Sequence, residues 1–455
     1  MKSFELQKKK VVVIGAGVSG MAASELLQRQ GAVPFVSDSG EIRAERRARL
    51  EELGIAFEQG GHSERAYGGD LLVVSPGVPR TIEPIRVYRE SGRRVWTELE
   101  LAWQCSRSPV VAVTGTNGKT TVTRWLGDLF ARGGKSAVVA GNIGVAVSDV
   151  ADQTGPEAHL LLEVSSYQLE FAETFRPDVS IILNITPDHM DYYGGRFEDY
   201  AAAKFRIADH QTEQDFFITN ADDEVLSAFL PELKKRARHP RILTFSTQSE
   251  VEEGLFLRDG TLIFKFNQTE EPLMQIQEFQ LSGQHNVMNG MAAALAARVS
   301  EIKNSAIRES LSRFEGVEHR LERVRELDGV TYINDSKATN VNAVWFALDS
   351  FETPMVLIMG GRDKGNDYRE LESQLREKVH TVIAIGEAAD GIEAQVGPMV
   401  PELLRADSMG EAVRMARKHA KRGELVMLSP ACSSFDMFEN FEDRGNCFRQ
   451  AVLEL

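Results

Sequence analysis

Cysteine is scarce in this sequence. Cys105, Cys432 and Cys447 are the only three in 455 residues, too few for a disulfide framework and spaced too widely for a CxxC metal pair. That usage points to a reducing compartment, so a cytoplasmic location is expected. Long apolar runs are missing too. No stretch approaches the roughly 18 apolar residues of a membrane-spanning helix, which excludes membrane insertion. The N-terminal Lys8-Lys9-Lys10 followed by the apolar residues 11–14 imitates a secretory signal, but Gly15, Gly17, Gly20, Glu25 and Arg29 interrupt it where a signal stays apolar. Positive charge is in deficit: 52 Lys and Arg face 67 Asp and Glu, a net charge of −15, which excludes a nucleic-acid partner because such a partner requires a basic footprint. Any polyanionic ligand must be gripped by local devices.

What is present is an α/β rhythm repeated three times. Residues 11–14, 33–37 and 71–75 are β-branched runs separated by an amphipathic stretch at 18–30, a βαβ pattern that predicts a parallel sheet. A second set predicts strands at 110–113, 137–140, 160–164, 179–183 and 216–219. From 242 to 280 the pattern shortens, with runs at 255–257 and 261–266 around the turn signal Asp259-Gly260, and an alanine-rich helix is expected over 290–299. The third set predicts strands at 330–333, 355–359, 382–385 and 425–428. Boundaries near Trp96 and Gly316 give three domains, at 1–97, 98–316 and 317–455. Loops after the strands are polar and are expected to converge on one composite cleft, since ligands of open parallel sheets bind outside the strands' carboxyl ends.

Two of these loops are built for phosphates. Gly115-Thr116-Asn117-Gly118-Lys119-Thr120-Thr121 follows a strand and opens a helix. Its glycines let backbone N–H groups curl around phosphate oxygens, Lys119 supplies a cation and the Thr120 hydroxyl can ligate Mg²⁺, which fits ATP. Val113 stands where the usual P-loop spacing has its first glycine. Gly15-Ala16-Gly17-Val18-Ser19-Gly20, with Asp38 after the next strand, matches a dinucleotide fingerprint in which the carboxylate takes ribose hydroxyls. Alone it also fits an NAD-dependent oxidoreductase, or a glycine turn that only packs helix on strand. Together with an ATP loop it requires two nucleotide sites, which a UDP-linked substrate satisfies as well as NAD does.

The ordered motifs resemble the Mur ligase family over all three domains. They are the loop 115–121, Gly141-Asn142-Ile143-Gly144, Glu163-Val164-Ser165-Ser166-Tyr167-Gln168, Asn184-Ile185-Thr186-Pro187-Asp188-His189, His285-Asn286 with Asn289, and His319-Arg320. Within the family, Asn334-Asp335-Ser336-Lys337-Ala338-Thr339-Asn340 and the stretch 429–441 resemble the branch that adds D-glutamate to UDP-N-acetylmuramoyl-L-alanine. The Asp-Asn-Pro-Arg signature of the diaminopimelate-adding branch is absent. The resemblance implies a monomer with a Rossmann-like N-terminal domain, a central P-loop domain with a small β extension, and a Rossmann-like C-terminal domain.

It also implies an ATP-dependent amide ligation through an acyl phosphate, in peptidoglycan precursor synthesis. Two Mg²⁺ ions are implied, the ATP-side ion held by Thr120 and Glu163 and the other reached by His189. Imidazole suits so hard a cation poorly. The family's carbamylated lysine falls at Lys204, where Ala201-Ala202-Ala203 and Phe205 would desolvate the amine if that helix face is inward, allowing it to add CO₂. The catalytic group is therefore expected to be Lys119, Asn142, His189 and Lys204. Val18, Ser19, Asp38, Ser39, Gly77 and Asn142 resemble the contacts to the UDP-linked substrate. Asn289, Arg320 and Asp335 resemble further ATP contacts, and Lys337, Thr339, Lys364, Ser434, Phe435 and Phe441 the amino-acid pocket. Two cations with hydroxyls suit a dicarboxylate. Cys432 precedes a possible helix start but has no evident histidine partner, so a structural thiol is expected. A sister ligase using another amino acid and a non-catalytic nucleotide-sugar sensor are the alternatives.

Overall fold

Strand β1 (Lys10–Ile14) buries Val11, Val12, Val13 and Ile14 completely, as a strand covered on both faces must. The structure is a computed structural model describing residues 5–281, 283–363 and 365–455. β1 pairs in parallel with β2 (Val33–Asp38) and with β4 (Leu71–Val74). With β3 (Ala56–Gln59) and β5 (Arg94–Thr97) they form a parallel sheet of order β3-β2-β1-β4-β5. The order reverses between β1 and β4, the position where such sheets open a ligand crevice.

The second sheet holds β6 (Val110–Thr114), β7 (Ala137–Gly141), β8 (His159–Glu163), β9 (Val179–Ile182), β10 (Phe216–Asn220), β11 (Arg241–Ser246), β12 (Gly254–Arg258), β13 (Thr261–Phe266) and β14 (Thr269–Gln275), in the order β14-β13-β12-β11-β10-β9-β6-β8-β7. It is parallel from β7 through β12 and ends in an antiparallel extension. Asp259 and Gly260, with φ of 48° and 75°, make the two-residue turn joining β12 to β13, since both central positions of this hairpin turn need positive φ. The alanine-rich helix starts earlier than its composition suggests, at Gln284, and runs to Val299.

These two sheets belong to one unit, which takes the residues up to Glu278 together with Met288–Ser312. Phe279–Val287 and Arg313–Leu455 form the other. The step near Trp96 is therefore a continuous passage. β5 runs directly into the helix Glu98–Cys105, and one apolar cluster contains Val11 and Leu71 of the first sheet with Leu99, Val110 and Leu162 beyond it. Two buried carboxyl groups on this helix fasten it. Glu100 accepts the backbone N–H groups of Glu173, Thr174 and Phe175, each at 3.0 Å, and the Thr174 hydroxyl. Glu98 accepts the Ser148 N–H at 2.6 Å, and burial raises its pKa to about 7.

The second unit carries β15 (Glu322–Leu327), β16 (Val330–Asn334), β17 (Met355–Gly360), β18 (Val379–Ile385), β19 (Glu402–Ala406) and β20 (Leu425–Leu428), in the order β15-β16-β20-β17-β18-β19. Only β15 is antiparallel to its neighbour. Because β20 inserts between β16 and β17, the loops after these three strands lie side by side. Among the described residues no helix is long and apolar enough to cross a membrane.

Glu98 sets a pH dependence. Its carboxyl favours the neutral form when folded, so its contribution to stability is complete below the ordinary value of 4.5 and is lost as pH rises through about 7. Denaturant titration from pH 5 to 8 is expected to show wild-type stability falling over that interval and Glu98→Gln falling less. Parallel curves for the two proteins would refute the assignment.

Candidate functional site

The loop 115–121 joins β6 to the helix Lys119–Arg132. Gly118 caps that helix with φ of 88°, and a Cβ there would collide with Asn289 Oδ1. The loop is held from behind by the segment after β9. Thr116 N donates to Asn184 O at 2.9 Å, Asn117 N to Asn184 Oδ1 at 2.8 Å, and Thr186 N to Thr116 Oγ1 at 3.0 Å. The backbone of the loop is thus braced before any ligand arrives.

Thr120, Glu163 and Asn142 meet at the end of β8. Glu163 ends β8 and is buried. Its Oε2 accepts the Thr120 hydroxyl at 2.6 Å and its Oε1 accepts Asn142 Nδ2 at 3.0 Å. Gly141, with φ of 114°, allows Asn142 N to reach Glu163 O at 2.9 Å. Among the described residues no group of three or more His, Cys, Asp or Glu could cage a metal alone. One carboxylate with a hydroxyl is nevertheless the sparse oxygen set that Mg²⁺ uses when phosphates and water complete its shell, so Thr120 and Glu163 fit such an ion. Among the described residues the buried Thr121 hydroxyl finds no hydrogen-bond partner.

Lys204 is the most unusual group. It lies on the inward face of the helix Phe197–Phe205 with 2% exposure, donates to Gly115 O at 2.8 Å, and sits 4.6 Å from the Tyr200 ring centroid. Lys119 donates to the same Gly115 oxygen at 2.9 Å and to Thr116 O at 2.7 Å. Burial first, and then Lys119, hold the Lys204 amine well below the ordinary lysine range against the opposing pull of Asp188 and Glu163. His189, with φ of 56°, packs its ring 5.1 Å from Tyr167 and 6.4 Å from Tyr200, and its Nε2 lies 3.7 Å from Asp188 Oδ2. Lys204 and His189 thus share Tyr200 as a neighbour.

At the mouth of the first sheet, Gly15 has φ of 91°, and a Cβ at Gly20 would strike its carbonyl oxygen. Asp38 Oδ2 accepts Ala16 N at 2.7 Å and Oδ1 accepts Gly40 N at 2.9 Å, so the carboxylate braces the loop. Val18, Ser39 and Gly77 are exposed and Ser19 half-buried around the same crevice.

The remaining predicted residues divide between the units. Asn289 lies against Gly118 in the first. In the second, buried Asp335 accepts the Ser429 hydroxyl at 2.8 Å and Leu321 N at 3.2 Å, and burial raises its pKa to about 7 against the field of Arg320. Lys337 Nζ stands 4.5 Å from the Phe441 ring centroid. Thr339 is half-buried in the same loop, Ser434 is buried and Phe435 exposed in the loop after β20. Lys364 lies outside the described residues. Cys432 is buried beside the Tyr368 hydroxyl at 3.2 Å, and burial pushes its thiol up to about 11, so it is a structural thiol.

Comparison with known proteins now gives this arrangement a lineage. The MurD N-terminal domain description matches residues 10–83, the Mur ligase middle domain residues 113–297, and the Mur ligase glutamate ligase domain residues 319–432. A relative in Salinibacter ruber, named UDP-N-acetylmuramoylalanine–D-glutamate ligase, is 45% identical over 98% of both chains. The chain belongs to the Mur ligase family. A Pelotomaculum thermopropionicum relative of the same name is 42% identical over 99% of both chains. Among solved Mur ligases, UDP-N-acetylmuramate-alanine ligase of Thermotoga maritima superposes with a TM-score of 0.60 at 20% identity, covering 98% of this chain and 99% of that one. The MurF ligase of T. maritima, solved with ADP, gives 0.58 at 17%, covering 99% and 96%. These likenesses establish the three-domain Mur ligase fold.

Sequence reasoning missed two residues of this Mur ligase. Tyr200 Oη pairs with Thr116 Oγ1 at 3.0 Å, linking the P-loop to the Lys204 helix. Arg444, fully buried in the helix Phe441–Leu453, donates to Ser336 O and Oγ, Gly360 O and Cys432 O at 2.8–3.3 Å. It stitches together the loops after β16, β17 and β20, which carry Lys337, Thr339, Ser434 and Phe435. Nothing in its local pattern distinguishes it from a surface arginine.

Gly118→Ala is expected to cost about 2 kcal/mol or more in stability, through the left-handed backbone and the collision with Asn289. Adding Asn289→Ala should recover part of the loss by removing the collision while leaving the strain. Chemical denaturation of the two variants measures both.

Proposed function

We propose that this Mur ligase adds D-glutamate to UDP-N-acetylmuramoyl-L-alanine at the expense of ATP, acting as a cytoplasmic monomer. The observation that carries it is the convergence of Lys119, the Thr120–Glu163–Asn142 chain and Lys204 on one P-loop, in a chain whose full-length relatives are named for that reaction. The substrate carboxylate takes the γ-phosphoryl group of ATP, releasing ADP. The amine of D-glutamate then attacks the acyl carbon, and phosphate leaves as the nitrogen loses its proton. Lys119 and the loop N–H groups hold the phosphates, while Asn142, which donates to Glu163 Oε1, contacts the acceptor. Positioning and charge neutralisation supply most of the rate. When bound, Mg²⁺ at Thr120 and Glu163 supplies further positive charge to the phosphates. A second Mg²⁺ belongs near His189.

Lys204 is suited to carbamylation. Once deprotonated, its buried nitrogen can attack the carbon of CO₂ and lose a proton, giving an anion that offsets Lys119 and offers the hard oxygen ligands His189 lacks. Val18, Ser19, Asp38, Ser39, Gly77 and Asn142 are assigned to the UDP-linked substrate. Asn289, Arg320 and Asp335 are assigned to ATP, and Lys337, Thr339, Lys364, Ser434, Phe435 and Phe441 to the amino acid. The three domains are assigned to 1–97, 98–316 and 317–455.

Phosphate release from ATP with UDP-N-acetylmuramoyl-L-alanine is expected with D-glutamate, and not with L-glutamate, L-lysine or L-alanine. Release with a different amino acid moves the chain to a sister ligase, and no release with any of them overturns the ligase reading. Lys204→Ala is expected to abolish most activity, and a small carboxylate such as formate to restore part of it. A ¹³CO₂-derived carbamate resonance present in wild type and absent from Lys204→Ala would complete the case, whereas its absence from active wild type would refute the modification.

A further inference from the structure

The loop after β4 carries, three residues past Gly77, an arginine that leaves the first sheet and reaches the second. Arg80 meets Asp199 at 3.1 Å and Glu170 at 3.4 Å, and its guanidinium lies 5.6 Å from the Tyr193 ring centroid. Glu170 ends the helix Ser166–Glu170, which begins at the Ser165 turn after Glu163. Asp199 lies five residues before Lys204 on the helix Phe197–Phe205. The side chains of Glu170 and Asp199 are only 14% and 26% exposed, so salt screens these pairs less than fully exposed ones. One guanidinium therefore references the loop to both elements that flank the acceptor chemistry.

At its other end the same loop is part of the nucleotide mouth. Ser75 Oγ donates to Gly15 O at 3.0 Å, placing the loop beside the glycine turn at the β1/β4 reversal. Tyr192 Oη adds a second tie, to Val78 O at 3.4 Å. A ligand that seats against Gly15 and Gly77 thus presses on a segment bonded, through Arg80, to the helix that holds Lys204.

We propose that Arg80 is a positioning residue that couples occupancy of the nucleotide-sugar mouth to the placement of the Lys204 helix. What occupies that mouth rests on the ligase reading; the coupling itself rests on the contacts above. A cavity of about 560 Å³, lined by Arg80, Asp199, Ala202, Phe205, Arg206 and Phe229 among others, opens behind the guanidinium. A small soluble guanidine can therefore reach the place left by truncation. Arg196 provides a control: it also pairs with Asp199, at 3.1 Å, but its side chain is 70% exposed.

Amide hydrogen exchange over residues 199–206 and steady-state kinetics test the coupling in the full chain. In wild type, UDP-N-acetylmuramoyl-L-alanine should slow exchange across this segment. Arg80→Ala should bind the nucleotide sugar with little change in KM, lose the slowing, and drop kcat by about 10- to 100-fold. Ethylguanidine should restore part of kcat, and Arg196→Ala should match wild type. Asp199→Asn, which preserves side-chain shape, should reproduce the loss and guards against a folding defect in Arg80→Ala. Absence of slowing in wild type, or unchanged kcat and slowing in both Arg80→Ala and Asp199→Asn, overturns the coupling. Slowing that depends on Arg80 in a wild-type protein without turnover would remove the ligase reading and leave the coupling standing.

Discussion

Two ammonium groups share the carbonyl oxygen of Gly115. Lys119 reaches it from the P-loop at 2.9 Å and Lys204 from the opposite helix at 2.8 Å, which puts two like charges within about 6 Å of each other, a repulsion of about 3 kcal/mol at an effective dielectric of 20. Lys119 is half-buried, whereas Lys204 is sealed among the buried Tyr200, Ala201 and Ala203, and burial followed by the Lys119 charge drives its amine toward the neutral form. Everything around the site either supplies negative charge to this pair or fixes the distance between its members. Glu163 and Asp188 do the first. The Thr116–Tyr200 hydroxyl pair and the Asn184 bonds to the loop do the second.

The same economy of buried charge organises the rest of the fold. Glu100 is an anion enclosed by backbone N–H groups, and Arg444 is a cation enclosed by backbone carbonyls. A buried charge is costly unless several hydrogen bonds replace its water. Each of these groups therefore persists only where irregular segments present their polar backbone to it. Glu100 gathers the turn at 173–175 against the passage between the first two sheets. Arg444 gathers the ends of three loops, two of which are also joined by the bridge between Arg362 and Ser433. A neutral side chain of the same size could fill either space but could not satisfy the convergent donors or acceptors.

Much of this was legible in the residues, and what was not has a physical cause. Parallel strands such as β1, β6 and β17 are buried on both faces and read as unbroken apolar runs, so their positions were plain. β15, with the sequence ERVREL, and β19, with ELLRA, are edge strands whose charges face solvent, and no run marks them. The glycines of the two phosphate loops announced themselves because Gly15, Gly115 and Gly118 need positive φ that other residues adopt at a cost. Lys204 carried no such mark. Its helix, FEDYAAAKF, sets three consecutive alanines before the lysine, a pattern that suits surface or core, and only the family resemblance pointed inward. Segment 279–287 groups with the last unit although it lies between β14 and the middle of a helix assigned mostly to the first. Such an excursion leaves no change of composition to read.

The candidate site is also organised before a ligand binds, and that bears on what it can recognise. Asp38 holds Ala16 N and Gly40 N with separate oxygens, so its first task is to shape the glycine turn. A ligand's hydroxyl must use the lone pairs that remain. Glu163 likewise takes the Thr120 proton and an Asn142 amide proton. With its proton held by Glu163, the Thr120 oxygen presents lone pairs to whatever approaches the loop, and a carboxylate already oriented by two donors loses little freedom when a cation joins it. A hard divalent ion escorted by phosphates meets oxygen donors in fixed positions, whereas a hydride-transferring cofactor would find no comparable preparation on this P-loop. The selectivity lies less in which residues are present than in which of their hydrogen-bonding positions the protein has already filled.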